Sequence, residues 1–511
     1  MPRAAVTAPA DAALSRRPPH RRLPGIRAES LHAGRRRNPP NVRMRRALLV
    51  VCVWLAGCAA YHPRPIAPAE LARQFEARTL ASAELHAYLC RALGHDVTPW
   101  PLPGWNREML TLAAWYYSPA LDVARAQWGT ARAAIDVAGA IPNPVLQLPF
   151  QWTTPNPGPG APFTTGLALD IPIETAGKRG YRIDQASRLS EAARLAIGNQ
   201  AWKVRSQVRD ALLTLHAARE RGALLAHTVD AEQQIVAMVT KRRSVGENAG
   251  PDVDAAVVAA TQAQADLAAA KAAEQDARAQ LAAAIGVPAS ALDGVRLDFD
   301  GFDDIPPPPP AADAQRDAIL HRADLLGSLA DYAAAESTLQ LEVAKQYPDI
   351  HLGPGYTYDT GTHKIGFGLA GITLPIFDQN QGGIALAQAK RKEAAARTAA
   401  LQDAILGDLA RALNRYRASI AALKLSGAHR AAARGQLNSQ AAGFAAGDVD
   451  RLTLTRAKAD YEASEIAYLN AIVSAHQAAG ALEDAMQRPL TPDTLTPGTG
   501  DAAHSPHEIA R

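Results

Sequence analysis

The chain has 511 residues, 48% of them hydrophobic and 20% charged, with a formal net charge of +4. Its first 46 residues hold twelve arginines against Asp11 and Glu29, and the remainder is net acidic, with 42 basic and 48 acidic residues. The basic character belongs to the front end alone, which excludes nucleic-acid binding as a property of the chain as a whole.

Residues 1–43 are rich in Arg and Pro and have no periodicity; they read as a mis-called start or a disordered extension. From Met44 the sequence runs MRRALLVVCVWLAGCAA, a basic pair followed by an apolar stretch from Ala47 to Ala56 and then small residues. That is the length of a signal peptide, 44–57, and too short to span a bilayer as a helix. Leu55-Ala56-Gly57-Cys58 resembles the lipobox of bacterial lipoproteins. The resemblance implies that Cys58 becomes the acylated N-terminus, and that Ala59 behind it sorts the protein to the outer membrane. With Cys52 lost in the signal and Cys58 carrying lipid, Cys90 has no intrachain disulfide partner, and no thiol-built metal or redox site is expected.

Residues 58–110 form the acylated N-terminus and an N-terminal helical segment. A first repeat occupies 111–296. Its strands, about 145–154 and 163–174, show period two: Leu146, Leu148, Phe150 and Trp152 alternate with Gln147, Pro149 and Gln151. PNPGPGAP at 155–162 is the turn. No proline occurs from 173 to 250 or from 252 to 287, windows rich in Ala, Leu, Gln, Arg, Lys and Glu, which enter helices at least cost. Val204, Val208, Leu212 and Leu215 make an apolar stripe there, with Arg205, Arg209 and Arg219 off it. Taken as one helix, 185–245 would run near 90 Å at about 1.5 Å per residue. Alone it would expose its stripe, so antiparallel hairpins packed side by side are the economical solution.

LDFDGFDDIPPPPP, 297–310, is a linker. A second repeat follows at 311–490, with strands about 349–359 and 364–377 and a proline-free window from 376 to 488. SPALDVARAQW at 118–128 falls on RADLLGSLADY at 322–332, Asp170 to Ile173 fall on Thr373 to Ile376, and Asp252-Val253-Asp254 fall on Asp448-Val449-Asp450. Three elements kept in order over about 170 residues make the chain two copies of helix, strand, strand, long helix, tip and return helix. The tail, 491–511, reads as disordered, His504 and His507 included.

GFGLAG at 366–371 matches the spacing of a dinucleotide fingerprint, but that motif must open a helix. Pro375 and the turn-rich DQNQGG forbid one at Gly371. The alternation of Ile365, Phe367 and Leu369 with small residues makes this a two-faced strand, with a bulge or bend expected at Gly371. Strands with one apolar face and one small or polar face fit a lipid-facing β-barrel with a wet lumen. Four strands cannot close, and no edge can stay open in a bilayer, so the chain must assemble with copies of itself.

The tandem halves, DIPIETAGKRGYRI at 170–183, TLPIFDQNQGG at 373–383 and the tip AAGDVDRLTLTRAKADYEAS at 445–464 resemble the TolC-type outer-membrane factors of efflux and type I secretion. Pro-Ile-Glu-x-x-Gly-Lys-Arg at 172–179 is most similar to the cobalt-zinc-cadmium and multidrug efflux lipoproteins. The resemblance implies a mainly α fold with a small transmembrane β part, in which three chains make a twelve-stranded β-barrel above an α-barrel of coiled hairpins. It implies a homotrimeric outer-membrane exit duct, lipid-anchored, with a long periplasmic portion, serving a periplasmic adaptor and an inner-membrane RND-type transporter. A type I secretion duct and a periplasmic adaptor lipoprotein are the alternatives; an adaptor needs many strands around a single hairpin. The family's tip pattern G-x-x-[ST]-x-x-D-V-L-x-A carries an aspartate ring. Aligned on Gly447, this sequence departs from it, with Thr453 where the aspartate would be. Asp448, Asp450, Arg451, Asp252 and Asp254 are the candidates for a periplasmic constriction of cation-selective type, with Asp448 and Asp252 as helix N-caps the alternative.

No G-x-S-x-G, Walker loop or HExxH occurs, and no helix-spaced HxxxH. No enzymatic role, catalytic residue, metal site or cofactor is expected beyond the covalent lipid on Cys58. His351 and His363 read as solvated positions flanking the second hairpin.

Overall fold

The computed structural model describes residues 61–154, 160, 162–302 and 304–491; Cys58, the expected signal segment 44–57 and the tail from residue 492 on lie outside them. Contacts group the described residues from Pro68 on into one unit, which carries every element below. Helices α1 (Pro68–Glu76), α2 (Ala83–Leu93) and α3 (Arg107–Tyr117) precede the first repeat, so the expected boundary at 110 falls inside α3. Repeat 1 then comprises α4 (Pro119–Gly139), β1 (Val145–Gln147), β2 (Phe150–Trp152), β3 (Phe163–Ile173), α5 (Lys178–Ser244) and α6 (Gly250–Ile285). Repeat 2 comprises α7 (Ala311–His321), α8 (Ala323–Ala344), β4 (Ile350–Asp359), β5 (Thr362–Ile372), α9 (Gln381–Ala446) and α10 (Arg451–Met486).

The long helices match between repeats, 67 and 66 residues for α5 and α9 and 36 each for α6 and α10. At 1.5 Å per residue α5 is about 100 Å long. It starts seven residues before the expected 185, because Gly177, at φ 72°, turns the chain straight into Lys178. In the half near the strands the packing order is α4, α5, α8, α9; in the tip half it is α6, α5, α10, α9. Both halves form one layer of helices with an edge at each side. Alanines at 256, 260, 263, 270 and 277 line the buried face of α6, letting it approach α5 closely.

Each repeat holds its helices together with a mid-length core. In repeat 1 Ile197, Val204, Val208, Leu212 and Leu215 of α5 pack with Leu281 and Ile285 of α6 and with α2 and α3. In repeat 2 Ile405, Leu409, Leu413 and Tyr416 of α9 pack with Leu325 and with Leu482 and Met486 of α10. The N-terminal segment enlarges the first core. Arg78 donates to the carbonyls of Tyr117 (3.1 Å) and Gly286 (2.7 Å), and Trp115 Nε1 donates to Ala201 O at 3.0 Å. The 297–310 stretch is more than a tether: Phe302 is buried between the rings of His216 and His476, and Tyr416 donates to Pro306 O.

Arg205 and Arg209, expected off the packed stripe, are buried. Both guanidinium groups lie 3.2 Å from Glu483 of α10, and Arg209 also reaches Asp484 at 2.8 Å. Burial works against the charge on Arg209, but the hydrogen bond and charge of Asp484 outweigh it and raise its pKa. The correction has a simple cause: α5 has neighbours on several sides, so an off-stripe position still faces protein. Gly480 makes the room, since a Cβ there would come within 2.6 Å of the Arg209 guanidinium carbon.

The strands form one antiparallel sheet in the spatial order β1 and β2, β3, β4, β5. The single strand expected over 145–154 is two short ones, because Pro149 has no amide to give the ladder. The strand expected over 364–377 is β5, which begins at Thr362 and ends at Ile372 before Pro375. GFGLAG lies within β5. His351 pairs with Gly371 and Leu352 with Leu369, so Ala370 is the extra residue of a bulge beside Gly371.

Candidate functional site

Strand register separates the sheet into two faces. Opposite pairs on one face are Leu146 with Leu169, Phe150 with Thr165, Trp152 with Phe163, Leu167 with Tyr356, and Tyr356 with Ile365. Ile365 is 89% exposed and Phe367 74%, and Leu146, Phe150, Trp152, Leu167 and Leu369 are exposed with them. An apolar face this bare has its partner outside the chain. Phe163 stacks with Phe150 and Trp152 and meets Tyr358 near the hairpin end, an aromatic cluster of the kind found at membrane interfaces.

The opposite face carries Gln147, Thr164, Gly166, Asp170, Thr357, Gly355, Gly353, Lys364, Gly366 and Gly368. Its charged groups pair across strands: Lys364 with Asp359 at 2.8 Å, Thr164 with Asp359 at 2.9 Å and His351 Nδ1 with Asp170 at 2.9 Å. His351 thus has a defined partner, while His363 stands on the other face, 2.5 Å from the Tyr356 hydroxyl. Nothing lies within 4 Å of where a Cβ would stand on Gly366 or Gly368. The face is polar and open, the complement of the apolar one.

Where strands meet helices, a clamp joins the repeats. Lys178 Nζ donates to Tyr347 O at 2.6 Å and pairs with Asp349 at 2.8 Å, while Thr175 donates from its amide to Asp349 (3.0 Å) and from its hydroxyl to Pro348 O (2.6 Å). Lys178 was legible only as part of the Gly-Lys-Arg motif. Its partners lie 169 and 171 residues away, which no local pattern reveals.

The far ends of the hairpins pack on each other. Ile235 and Val239 of α5, Val253 and Ala256 of α6 and Leu452 of α10 form a small cluster. Arg242, at the end of α5, donates to Asp450 Oδ2 at 2.6 Å across the two repeats. Asp450 is also the N-cap of α10, accepting the Thr453 amide at 2.7 Å. The guanidinium of Arg242 and then the Thr453 amide hold its carboxyl down at about 2.

The residues expected at the tip are therefore distributed over several roles. Asp450 carries both a cap and an ion pair. Asp448, read alternatively as the cap, lies two residues before it, its amide donating to Gly443 O at 2.9 Å as the chain leaves α9. Asp252 sits in the first turn of α6 and accepts the Ala249 amide at 3.0 Å, so it serves the helix start from inside rather than as the cap residue. Asp254, Asp448 and Arg451 are exposed. Thr453, which stands where an aspartate would be, is the residue whose amide is capped. Arg242 was absent from the sequence reading, and the basic run Lys241-Arg242-Arg243 at the helix C-terminus was the signal for it.

The model of the outer membrane efflux protein family matches residues 114–287 and again 315–487, one match per repeat. The cobalt-zinc-cadmium resistance protein CzcC of Cupriavidus metallidurans is 27% identical over 376 residues, covering 72% of this chain and 86% of that protein. The fold is similar to that of the outer membrane protein VceC of Vibrio cholerae, with a TM-score of 0.61, 19% identity, and 75% of this chain and 97% of VceC covered. It is equally similar to the MtrE outer membrane channel of Neisseria gonorrhoeae in its open state, with a TM-score of 0.61, 17% identity, and 76% and 91% covered.

Proposed function

Because this chain belongs to the outer membrane efflux protein family, we propose that it is the outer-membrane exit duct of a tripartite efflux system. The observation that carries the proposal is a shared pair of edges. The sheet ends at β1 and β2 on one side and at β5 on the other, and the helical layer ends at α4 and α6 on one side and at α9 on the other. An open sheet edge in hydrocarbon leaves amides unpaired at several kcal/mol each, on the order of the usual cost of a buried unsatisfied group. Copies of the chain placed edge to edge close both layers at once. Three copies give a twelve-stranded barrel with the glycine-rich face inward, continued by an α-barrel in the periplasm.

In this assembly the duct does no chemistry; it conducts. Solute leaves an inner-membrane RND-type transporter, enters through a periplasmic adaptor docked at the hairpin tips, and passes between walls of Gly, Thr, Gln and paired charges. The tips form the periplasmic constriction, with the exposed Asp254, Asp448 and Arg451 at its rim and Asp252 there too, its carboxylate shared with the Ala249 amide. Asp450 acts differently, because its charge is held by Arg242 and locks one hairpin to the other. Acylation of Cys58 adds a lipid anchor in the outer membrane. A single-hairpin adaptor is disfavoured by the two complete hairpins. The likeness to CzcC makes cobalt, zinc and cadmium the first solutes to test.

The test is conductance of the purified protein in a planar bilayer, with membrane fractionation alongside. Discrete channels from outer-membrane material are expected; a non-conducting monomer in the inner membrane would refute the duct. Co-purification of the transporter and adaptor separates efflux from type I secretion, and Cys58→Ser with mass spectrometry of the N-terminus tests the anchor.

A further inference from the structure

We propose that His86, Cys90 and Asp96 form a binding site for a borderline divalent transition cation, with zinc as the type. The site lies on the N-terminal segment, outside both stretches matched by the family model, and does not rest on the duct reading. His86 and Cys90 are four residues apart on α2, so they share a helix face. Gly94, at φ 72°, ends the helix and turns the chain back on itself. Val97 is buried against the first core and fixes the returning loop, which brings Asp96 over the same face.

The donor atoms converge. Asp96 Oδ1 lies 3.5 Å from Cys90 Sγ and 3.7 Å from His86 Nε2, and all three lie within 4.8 Å of one another. Zinc bonds of about 2.0–2.3 Å at tetrahedral angles set ligand atoms roughly 3.3–3.8 Å apart. Small side-chain rotations therefore suffice. One imidazole, one thiol and one carboxylate make a mixed N, S, O set, which suits zinc or cobalt and not the oxygen-seeking calcium or magnesium. Asp96 is exposed and the other two half-buried, so ions can enter and a water can complete the fourth position.

The surroundings orient the ligands. Trp100 stacks on the His86 ring at 4.6 Å between centroids, and the Val97 amide donates to Cys90 Sγ at 3.4 Å, a bond that strengthens when the sulfur is a thiolate. His86 Nε2 lies 2.9 Å from Val97 O, so binding replaces one neutral hydrogen bond and moves the ring proton to Nδ1 or solvent. The thiol proton is released as well, and affinity rises with pH. One thiol is enough because the other two donors are not sulfur, which is why counting cysteines missed the site. The bound ion would pin the loop to α2.

The test is titration of the full-length protein in detergent with cobalt(II). A near-ultraviolet thiolate-to-cobalt charge-transfer band saturating at one ion per chain is expected, lost in Cys90→Ser and weakened in His86→Gln and Asp96→Asn. As a second readout on the unaltered protein, zinc should slow alkylation of Cys90, located by peptide mapping, and a chelator should restore it. Absence of the band, a band that survives Cys90→Ser, or alkylation unaffected by zinc would each overturn the site.

Discussion

Helices α5 and α9 are near-duplicates in length and place, yet twenty residues of α5 are buried and only seven of α9. The difference is one of position. α5 runs through the middle of the layer and packs on α3, α4, α6, α8 and α10, whereas the main neighbours of α9 are α7, α8 and α10. From residue 421 to its end α9 has no buried residue, and it exposes Leu425 at 74%. The same primitive repeat element is a core in one copy and a rim in the other. In the proposed assembly this rim is where a neighbouring copy packs, and β5, on the same side, is the rim of the sheet.

The largest effect should come from breaking the middle of the layer. Glu483→Ala strips the carboxylate facing Arg205 and Arg209 in a buried setting and should cost about 3–5 kcal/mol in chemical denaturation. Leu215→Ala on α5, at a fully buried site, should cost about 2–5 kcal/mol. An exposed leucine on the rim helix separates the two roles: Leu425→Ala should change protomer stability by less than about 0.5 kcal/mol while weakening assembly, seen by native mass analysis at low concentration. Equal losses of protomer stability at both sites would contradict the distinction.

At the tips Asp450→Ala removes the cap of α10 and should cost about 1 kcal/mol. Asp450→Asn keeps a cap but loses the Arg242 pair. Because the folded carboxyl titrates near 2 against an ordinary 3.8, its stabilisation is complete above the unfolded value and fades as pH falls from about 4 towards 2. A melting profile of the parent should show that decline and Asp450→Asn should lack it, with the duct of the variant more often open in bilayer recordings. The smallest effect on stability belongs to Gly368→Val, which places a methyl pair in open space on the polar face. Folding and assembly should be unchanged and single-channel conductance reduced.

Much of this was legible because the physics was local. Missing prolines marked the long helices, period two marked both faces of the strands, and tandem similarity marked the repeat. The bulge beside Gly371 followed from a break in alternation. What escaped depends on neighbours distant in sequence. Arg205 and Arg209 lie off the apolar stripe, and their burial against Glu483 and Asp484 escaped because a single stripe assumes a single packing partner. Asp448 reads as the cap of the return helix in sequence, and the turn through Gly447, at φ 85°, brings Asp450 to that position instead. Lys178 needs Asp349, and Arg242 needs Asp450, each from the other repeat. His86, Cys90 and Asp96 were passed over because they match no fixed motif spacing.

The claim on which the rest depends is that the two rims of one chain are satisfied by two further copies. Native mass spectrometry of the protein released from detergent tests it directly. The account predicts a single species of three chains, and a monomer, or a closed assembly of any other number, would contradict it.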